Sequence, residues 1–372
     1  MIDRIRLHNF KCFQEQSFAC APITLLSGLN GMGKSSVIQS LLLLRQSYMQ
    51  GILDKEGLLL NGDLVRLGTA KDVLCENAQQ DIIAFEIEDS LGKGHWNFKY
   101  DRDSDILERG ESEVSSRMFQ SSLFTNKFHY LQAERTGPRP FFEMSDFIVR
   151  QQKQLGTRGE FAAHFLSLFG SVDIPNSKLS HQNAVSLSLR HQTEAWLSEV
   201  SPGTRIHVDS NASMDIAGLS YSFETGRQVS NKFRSTNVGF GLTYTLPIIL
   251  ALLSAVPNSL VAIENPEAHL HPRGQSRLGE LISRAACNGV QVIFETHSDH
   301  VLNGLRLAVH HEQVNPADVA LHFFCAAAAD EGSRTLIVSP SIDSDGRIDQ
   351  WPDGFFDEWD KSLEALITPR KG

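Results

Sequence analysis

The run Gly28-Leu-Asn-Gly-Met-Gly33-Lys34-Ser35 fits the phosphate-loop pattern G-x-x-x-x-G-K-[ST] at every defined position. It follows an apolar run over residues 23–27, which predicts a strand, and it precedes a helical pattern over residues 34–45. In such a loop the backbone amides and the N-terminus of the following helix face phosphate oxygens. Lys34 would reach the β- and γ-phosphates, and Ser35 would bind Mg²⁺. The residues expected to contact the nucleotide are Asn30, Gly31, Met32, Gly33, Lys34, Ser35 and Ser36.

A second strand is predicted over residues 260–264, where four apolar residues lead into the carboxylate of Glu264. An ATPase needs an acidic residue at this place to hold the water shell of Mg²⁺, so Glu264 is the predicted magnesium ligand beside Ser35. Glu267 follows closely enough to position or deprotonate the attacking water. The candidate catalytic residues of this region and the loop are Lys34, Glu264 and Glu267.

A neighbouring strand over residues 290–295 leads into Thr296-His297-Ser298. Ligands collect at the carboxyl ends of parallel strands, so His297 could sense or stabilise the γ-phosphate and is the fourth candidate catalytic residue. A lone histidine at a strand end is also commonly structural.

The motifs together resemble the ABC-class ATPase heads of the SMC, RecF and OLD-like group. The resemblance is closest to compact OLD-like bacterial ATPases of the defence type that lack a Toprim domain, and it spans residues 2 to about 305. It implies ATP and Mg²⁺ as ligands, ATP hydrolysis as the activity and Lys11 as a further nucleotide contact. The matching segments are Asn9-Phe-Lys-Cys-Phe13, the loop at 28–35, Glu264-Asn-Pro-Glu-Ala-His-Leu-His-Pro272 and Glu295-Thr-His-Ser298.

Such heads carry a signature loop that contacts ATP bound to the opposite subunit. By its position the segment Ser235-Thr-Asn-Val-Gly239-Phe-Gly241 is this loop, although a glycine turn that opens a helix would account for the same residues. One phosphate loop and one signature loop cannot close a site within one head, so the resemblance implies an ATP-dependent homodimer. The residues implied in the contact across the dimer are Ser235, Asn237, Val238, Gly239 and Gly241.

Three positions near the predicted site depart from the pattern or match it loosely. Related heads often have a glutamate as general base where this chain has Asn265, so hydrolysis is expected to be slow or to use Glu267. Gln132 is the candidate for coupling Mg²⁺ to a lid, and Arg135 is expected near the phosphate. A Gly-Pro turn with solvated charges is an equally good account of this last segment.

The predicted fold is an α/β P-loop NTPase with an ABC-type head. It combines a mixed, mostly parallel sheet with an antiparallel β-subdomain and a helical lid insertion. The alternation in residues 81–100 predicts a hairpin that turns at Gly92-Lys-Gly94. Four segments are predicted: 1–140 as the N-terminal part of the head, 141–202 as the helical insertion, 203–310 as the C-terminal part of the head, and 311–372 as a small C-terminal module.

Composition limits the classes of partner. The 372 residues include 34 basic and 44 acidic side chains, a net charge of -10, so nucleic-acid binding would need a local basic patch. The longest apolar run, residues 248–256, is too short to span a membrane, and the N-terminus lacks the pattern of a signal peptide. Five scattered cysteines favour reduced thiols over disulfides or a zinc site. We therefore expect a cytoplasmic protein with no membrane partner.

The function implied by the resemblance is a nucleotide-gated dimeric switch. It would act on DNA or on a separately encoded effector such as a nuclease, in defence against phage. The alternatives are a RecF-like DNA repair clamp, an ATP-binding scaffold without significant turnover, and, as a weaker match to the motifs, a transporter subunit. Asp343-Ser-Asp345 has the spacing of a nuclease metal pair but is more typical of a turn, so no nuclease activity is predicted.

Overall fold

The computed structural model describes residues 1–326 and 335–368 of the chain. The elements up to residue 140 are β1 (Ile2–Phe10), β2 (Phe13–Ala19), β3 (Ile23–Gly28), α1 (Lys34–Met49), β4 (Gly57–Leu59), β5 (Ile82–Asp89), β6 (Gly92–Lys99), β7 (Ile106–Glu108), β8 (Glu113–Val114) and β9 (Phe128–Leu131). The middle of the chain forms β10 (Phe142–Glu143), α2 (Ala162–Phe169), α3 (Leu189–Val200), β11 (Thr204–Asn211), β12 (Ile216–Thr225), β13 (Gln228–Val229), β14 (Phe233–Arg234) and α4 (Phe240–Ser254). The last elements are β15 (Leu260–Glu264), α5 (Pro272–Ala286), β16 (Gln291–Glu295), α6 (Asp299–His310), β17 (Val319–Ala326), β18 (Thr335–Val338) and α7 (Glu358–Ile367).

Six strands of the described chain form a central sheet in the order β18-β17-β3-β16-β15-β9. Every neighbouring pair is parallel except β17 with β18. The apolar runs of β3, β15 and β16 are buried on both faces, as parallel strands covered by helices require. The mostly parallel sheet predicted from the sequence is confirmed. Its carboxyl edge gathers the ends of these strands, where Gly28, Glu264 and Glu295 lie.

The two faces of the central sheet pack against different layers. Alternate residues of β15, such as Leu260 and Ala262, join a core with α1 and the antiparallel sheet β2-β1-β5-β6-β8. The residues between them, Val261 and Ile263, join the core formed with helices α2 to α6. Helix α1 is therefore enclosed between the two sheets, which holds its N-terminus firmly at the phosphate loop.

The hairpin of β5 and β6 is confirmed, but its turn lies earlier than predicted. Asp89 pairs with Gly92, so the turn consists of Ser90 and Leu91. The Asp89 carboxylate accepts a hydrogen bond from the Leu91 N–H at 2.7 Å and closes the turn. The glycines at positions 92 and 94 belong to β6, so the prediction of a turn at Gly92-Lys-Gly94 is wrong.

The predicted segments share cores and sheets. Within the segment 141–202, β10 pairs with β12, and helix α3 packs against α4 and α5. Within the segment 311–372, strand β17 pairs with β3 and extends the central sheet beside the phosphate loop. The four segment boundaries therefore stay a prediction about chain order, since the elements they separate pack together. In the described part of the chain, no helix is both long and apolar enough to cross a membrane.

Candidate functional site

Glycines shape the loop between β3 and α1. Gly28 has φ +129, and a Cβ there would lie 2.1 Å from the carbonyl oxygen of Phe324 in β17. Gly33 has φ +95, and a Cβ there would lie 2.3 Å from Cys12 Sγ. Both positions need glycine because of the backbone conformation and the close neighbour. Gly31 also has positive φ, but the space beside it is open. The loop therefore presents bare backbone toward a cavity.

The side chains of Lys34 and Ser35 both turn toward Glu295 at the base of this loop. Lys34 Nζ donates to the carbonyl oxygens of Gly28 at 3.1 Å and Leu29 at 2.9 Å, and it lies 3.7 Å from Glu295 Oε1. Ser35 Oγ donates to Glu295 Oε2 at 2.7 Å. Burial lowers the pKa of Lys34, and the charge of Glu295 acts in the opposite direction. The loop's cation and hydroxyl are thus organised around one carboxylate.

Glu295 begins the motif Glu295-Thr-His-Ser298 but is not among the predicted site residues. In the sheet, β16 lies between β3 and β15, so the last residue of β16 is nearer to the phosphate loop than the last residue of β15. The signal in the sequence was that two neighbouring strands both end in glutamate, Glu264 and Glu295, which pair directly across the sheet. Deciding between them required the strand order.

Glu264 makes no hydrogen bond to Ser35 and is held by other groups. Its Oε1 accepts from the Tyr130 hydroxyl, and its Oε2 accepts from the Ala133 N–H, each at 3.1 Å. Burial raises the pKa of Glu264, and the charge of Glu295 adds to this rise. Ser35 therefore hydrogen-bonds to Glu295 and not to Glu264, because β16 lies between β3 and β15, and the role of Glu264 as a magnesium ligand stays a prediction.

Glu267 braces the turn after β16. Its Oε2 accepts from Thr296 Oγ1 at 2.7 Å, and its Oε1 accepts from the backbone N–H of His297 at 2.8 Å. Each carboxylate oxygen therefore accepts one hydrogen bond and keeps a further lone pair, so the role of Glu267 in activating water stays a prediction. The His297 side chain is exposed at the carboxyl edge, and its ring makes no hydrogen bond to the described residues.

Arg135 lies inside the fold, and its expected nearness to phosphate stays a prediction. Arg135 is 1% exposed and does not line the cavity beside the loop. Its guanidinium donates to four carbonyl oxygens: Tyr244 at 3.1 Å, Gln132 at 3.0 Å, Glu264 at 2.7 Å and Asn265 at 2.7 Å. Burial lowers the pKa of Arg135 to about 10. The chain uses this cation to hold loops together.

Two neighbours of Arg135 have their own constraints. Asn265 has φ +43, a left-handed conformation, and its buried Oδ1 has no hydrogen-bond partner among the described residues. Gln132 donates its backbone N–H to Thr157 O at 2.9 Å, and its side chain does not line the cavity beside the loop.

The cavity beside the phosphate loop has a volume of about 500 Å³. The lysine at position 11, which has φ +53, extends Nζ toward Gln39 Oε1 at 2.6 Å, and burial lowers its pKa. Of the loop residues expected to contact a nucleotide, Met32 is buried beneath the loop and does not line the cavity. Asp72, Gln39 and Glu295 line it without having been predicted. The predicted residues that do line it are Lys11, Asn30, Gly31, Gly33, Lys34, Ser35 and Ser36.

The segment identified with a signature loop lies elsewhere on the surface. Ser235 is buried and donates to the carbonyl oxygen of Arg139 at 2.6 Å, whereas Asn237 and Gly239 are exposed. Gly239 precedes α4 with φ -60, and nothing lies within 4 Å of a Cβ built there. Gly241 packs closely against His269 O. No member of this segment, Val238 included, lines the phosphate-loop cavity of its own chain.

The donor atoms suit Mg²⁺ bound together with phosphate. No cluster of three or more histidine, cysteine or acidic residues occurs in the ranges that the structure describes. Mg²⁺ in phosphate sites needs no such cluster, because it keeps several waters and takes one or two carboxylates besides phosphate oxygens. The Ser35 hydroxyl and the Glu295 carboxylate supply hard oxygen atoms at the right place, with Glu264 on the adjacent strand.

The substitution Arg135→Lys tests the role of the guanidinium. Lysine keeps the charge but lacks the planar fork that reaches four carbonyls. We expect the free energy of unfolding to fall by about 2–4 kcal/mol, because buried acceptors lose charged donors. The matched control is Arg139→Lys, since Arg139 is exposed and its side chain has no hydrogen bond within the described residues. Urea unfolding measures both variants, and equal losses would contradict the role assigned to Arg135.

The raised pKa of Glu264 predicts a pH-dependent stability. The folded chain holds a proton on this carboxyl at pH values where the unfolded chain has lost it, so stability falls as the pH rises from the usual value of 4.5 through the raised pKa. Glu264→Gln should therefore raise the free energy of unfolding at about pH 8, with the gain shrinking toward about pH 4. Urea unfolding across this range measures it, with the exposed Glu143→Gln as control. A gain that does not change with pH would refute the assignment.

Family models match three stretches of the sequence. A model described as "AAA domain" matches residues 4–155, and one described as "Protein of unknown function (DUF3696)" matches residues 314–366. A third, described as "AAA domain, putative AbiEii toxin, Type IV TA system", matches residues 81–303, which is more than half of the chain. No curated protein matches the sequence.

Solved structures with the same fold are heads of Smc proteins. An SmcHead bound to the C-winged helix domain of ScpA is 13% identical, with a TM-score of 0.53 over 92% of this chain and 98% of that one. An Smc head domain with an extended coiled coil, bound to the C-terminal domain of ScpA derived from Pyrococcus furiosus, is 12% identical, with a TM-score of 0.52 over 99% of both chains. At these identities the likeness shows the fold, an ABC-type P-loop ATPase head. By the match over residues 81–303, the chain belongs to the family of AAA domains described as "AAA domain, putative AbiEii toxin, Type IV TA system".

Proposed function

We propose that the chain binds ATP with Mg²⁺, hydrolyses it slowly and acts as a nucleotide-gated dimeric switch. The observation that carries this proposal is the convergence of Lys34, Ser35 and Glu295 at the base of a cavity of about 500 Å³ lined by the phosphate loop. The loop presents backbone at Gly31 and Gly33, and the N-terminus of α1 begins directly after it. This arrangement favours the phosphates of a nucleotide.

In this proposal each side chain at the loop has a defined task. Lys34 exchanges its two carbonyl partners for oxygens of the β- and γ-phosphates and compensates their charge. Ser35 and Glu295 would hold Mg²⁺, with the Glu264 carboxylate on the neighbouring strand. The metal supplies charge compensation on the phosphates when it is bound. Water attacks the γ-phosphate, and the products are ADP and phosphate.

Slow turnover follows from the surroundings of the attacking water. The amide of Asn265 cannot usefully accept its proton. Glu267 is a carboxylate, but both of its oxygens already accept hydrogen bonds from Thr296 and His297. His297 lies exposed at the carboxyl edge, and in the proposal it senses the γ-phosphate. A long-lived ATP state suits a switch better than a motor.

A second copy of the chain would complete the nucleotide site. Asn237, Val238 and Gly239 lie away from the phosphate-loop cavity of their own chain, and Gly239 has open space around it. A homodimer held together by two ATP molecules would place these residues on the γ-phosphate of the partner's nucleotide. Because ATP binds the dimer better than the monomer, ATP drives assembly and hydrolysis reverses it.

The proposed biological role is defence against phage in the cytoplasm, through DNA or a separately encoded effector such as a nuclease. The family description, which names a toxin of a Type IV TA system, supports a defence role. The related Smc heads are bound to a separate protein, ScpA, which supports a partner for this fold. The segment 311–372 is a proposed docking module and the segment 141–202 a proposed lid. The engaged Glu267 favours, as the second candidate, an ATP-binding scaffold without significant turnover.

The mass of the protein with and without Mg-ATP tests the dimeric switch. Light scattering should show a monomer without nucleotide and a dimer with Mg-ATP for the wild type, because nucleotide links the two copies. Lys34→Ala should stay monomeric in both conditions, since the loop loses its cation. A mass that ATP does not change in the wild type would contradict the proposal. A dimer in which ATP remains unhydrolysed would favour the scaffold.

A further inference from the structure

A second cavity, of about 340 Å³, lies at the edge of the central sheet opposite the phosphate loop. His129 stands at the start of β9, and Ser259 directly precedes β15, so both lie at the amino ends of parallel strands. The walls are apolar side chains from α2, the following segment and α3: Phe165, Phe169, Ile174 and Leu189. A volume of this size is typical of sites for small organic ligands.

One polar side chain without a partner lines this cavity. His129 is 7% exposed, and neither of its ring nitrogens makes a hydrogen bond within the described chain. Its Nδ1 is enclosed, so Nε2 is the ring nitrogen that a ligand can reach, whereas the unpartnered Oγ of Ser259 is enclosed as well. Burial, assisted by the charge of Arg45, lowers the pKa of His129 to about 4, so the imidazole is neutral. Buried polar groups are nearly always hydrogen-bonded in folded proteins, so His129 Nε2 points to a missing partner.

The rim of the cavity is mostly cationic. Lys127 is exposed beside β9, and Lys153 Nζ lies 3.8 Å from the centre of the Phe169 ring. Asp173 is the acidic residue among those that line the cavity. Two lysines against one aspartate leave a net positive charge, which favours an anionic group at the mouth.

We propose that this cavity binds a small amphipathic acid. The apolar or aromatic body of the ligand packs against Phe165, Phe169 and Leu189. A polar group hydrogen-bonds to His129 Nε2, and the anionic group lies beside Lys127 and Lys153. The site is separate from the phosphate-loop cavity and goes beyond the proposed switch, because none of its residues lines the other cavity.

The probe for this site is 8-anilinonaphthalene-1-sulfonate, which combines an aromatic body, an N–H group and a sulfonate. Titration of the full chain, followed by dye fluorescence, should show one binding site, and bound dye should raise the Tm. His129→Phe should weaken binding by about tenfold, because a hydrogen bond is lost. Lys153→Gln should weaken it about threefold at low salt, whereas the exposed Lys178→Gln, outside the cavity, should leave it unchanged.

Two further measurements keep the test decisive. If His129→Phe fails to fold, Lys127→Gln and Lys153→Gln carry the test, since both lysines are exposed at the rim and their loss should not lower the Tm. Decanoate should displace the dye, and decanol should do so much more weakly. Only decanoate carries the negative charge that Lys127 and Lys153 attract. Dye affinity unchanged in His129→Phe and Lys153→Gln, or bound dye that does not raise the Tm, would overturn the proposal. The dye would then be on exposed apolar surface such as Trp359 and Leu366 of α7.

Discussion

The buried guanidinium of Arg135 fixes the geometry on which the candidate site depends. It joins the loop after β9, the loop after β15 and the first turn of α4 through hydrogen bonds to four backbone carbonyls. A buried cation is costly unless its donors are satisfied, so the three segments are held in one arrangement. This arrangement places the Ala133 N–H on the Glu264 carboxylate and sets the position of the helix that follows the exposed Gly239. The hydrogen bonds of Arg135 thus connect β15, which ends in Glu264, with the helix that follows the proposed signature loop.

Three glutamates lie at one edge of the central sheet, and each has different hydrogen-bond partners and a different charge environment. Glu295 contacts the hydroxyl and the ammonium of the phosphate loop. Glu264 is half-buried next to it, and this burial, with the charge of Glu295, raises its pKa. Glu267 accepts one hydrogen bond on each oxygen and braces the turn at His297. The chain thus concentrates negative charge at the edge of the sheet beside the phosphate loop.

Sequence patterns predicted the phosphate loop, the parallel sheet and the β5–β6 hairpin, because each depends on short-range spacing of apolar residues and glycines. They did not identify Glu295, since its nearness to Ser35 depends on the strand order and not on any local motif. The sequence allowed either a contact of Arg135 with phosphate or a solvated charge, and it did not predict burial, because a charged residue in a Gly-Pro segment gives no sign of it. The turn at Ser90 and Leu91 was not predicted because the Asp89 side chain closes it. The nearby glycines at positions 92 and 94 favoured a turn there instead. The cavity at His129 could not be predicted, because its lining residues are far apart in the sequence and form no periodic pattern.

In the proposed dimer each nucleotide site is shared between two chains, and mixing two inactive variants tests this sharing most directly. Lys34→Ala damages the phosphate loop, and Gly239→Arg blocks the signature segment at an exposed position with open space and ordinary φ. Each variant alone should hydrolyse almost no ATP. An equal mixture should recover part of the wild-type turnover, at most about half, because each mixed dimer has one intact site of two. No recovery in the mixture, or full activity of Gly239→Arg alone, would contradict a shared site.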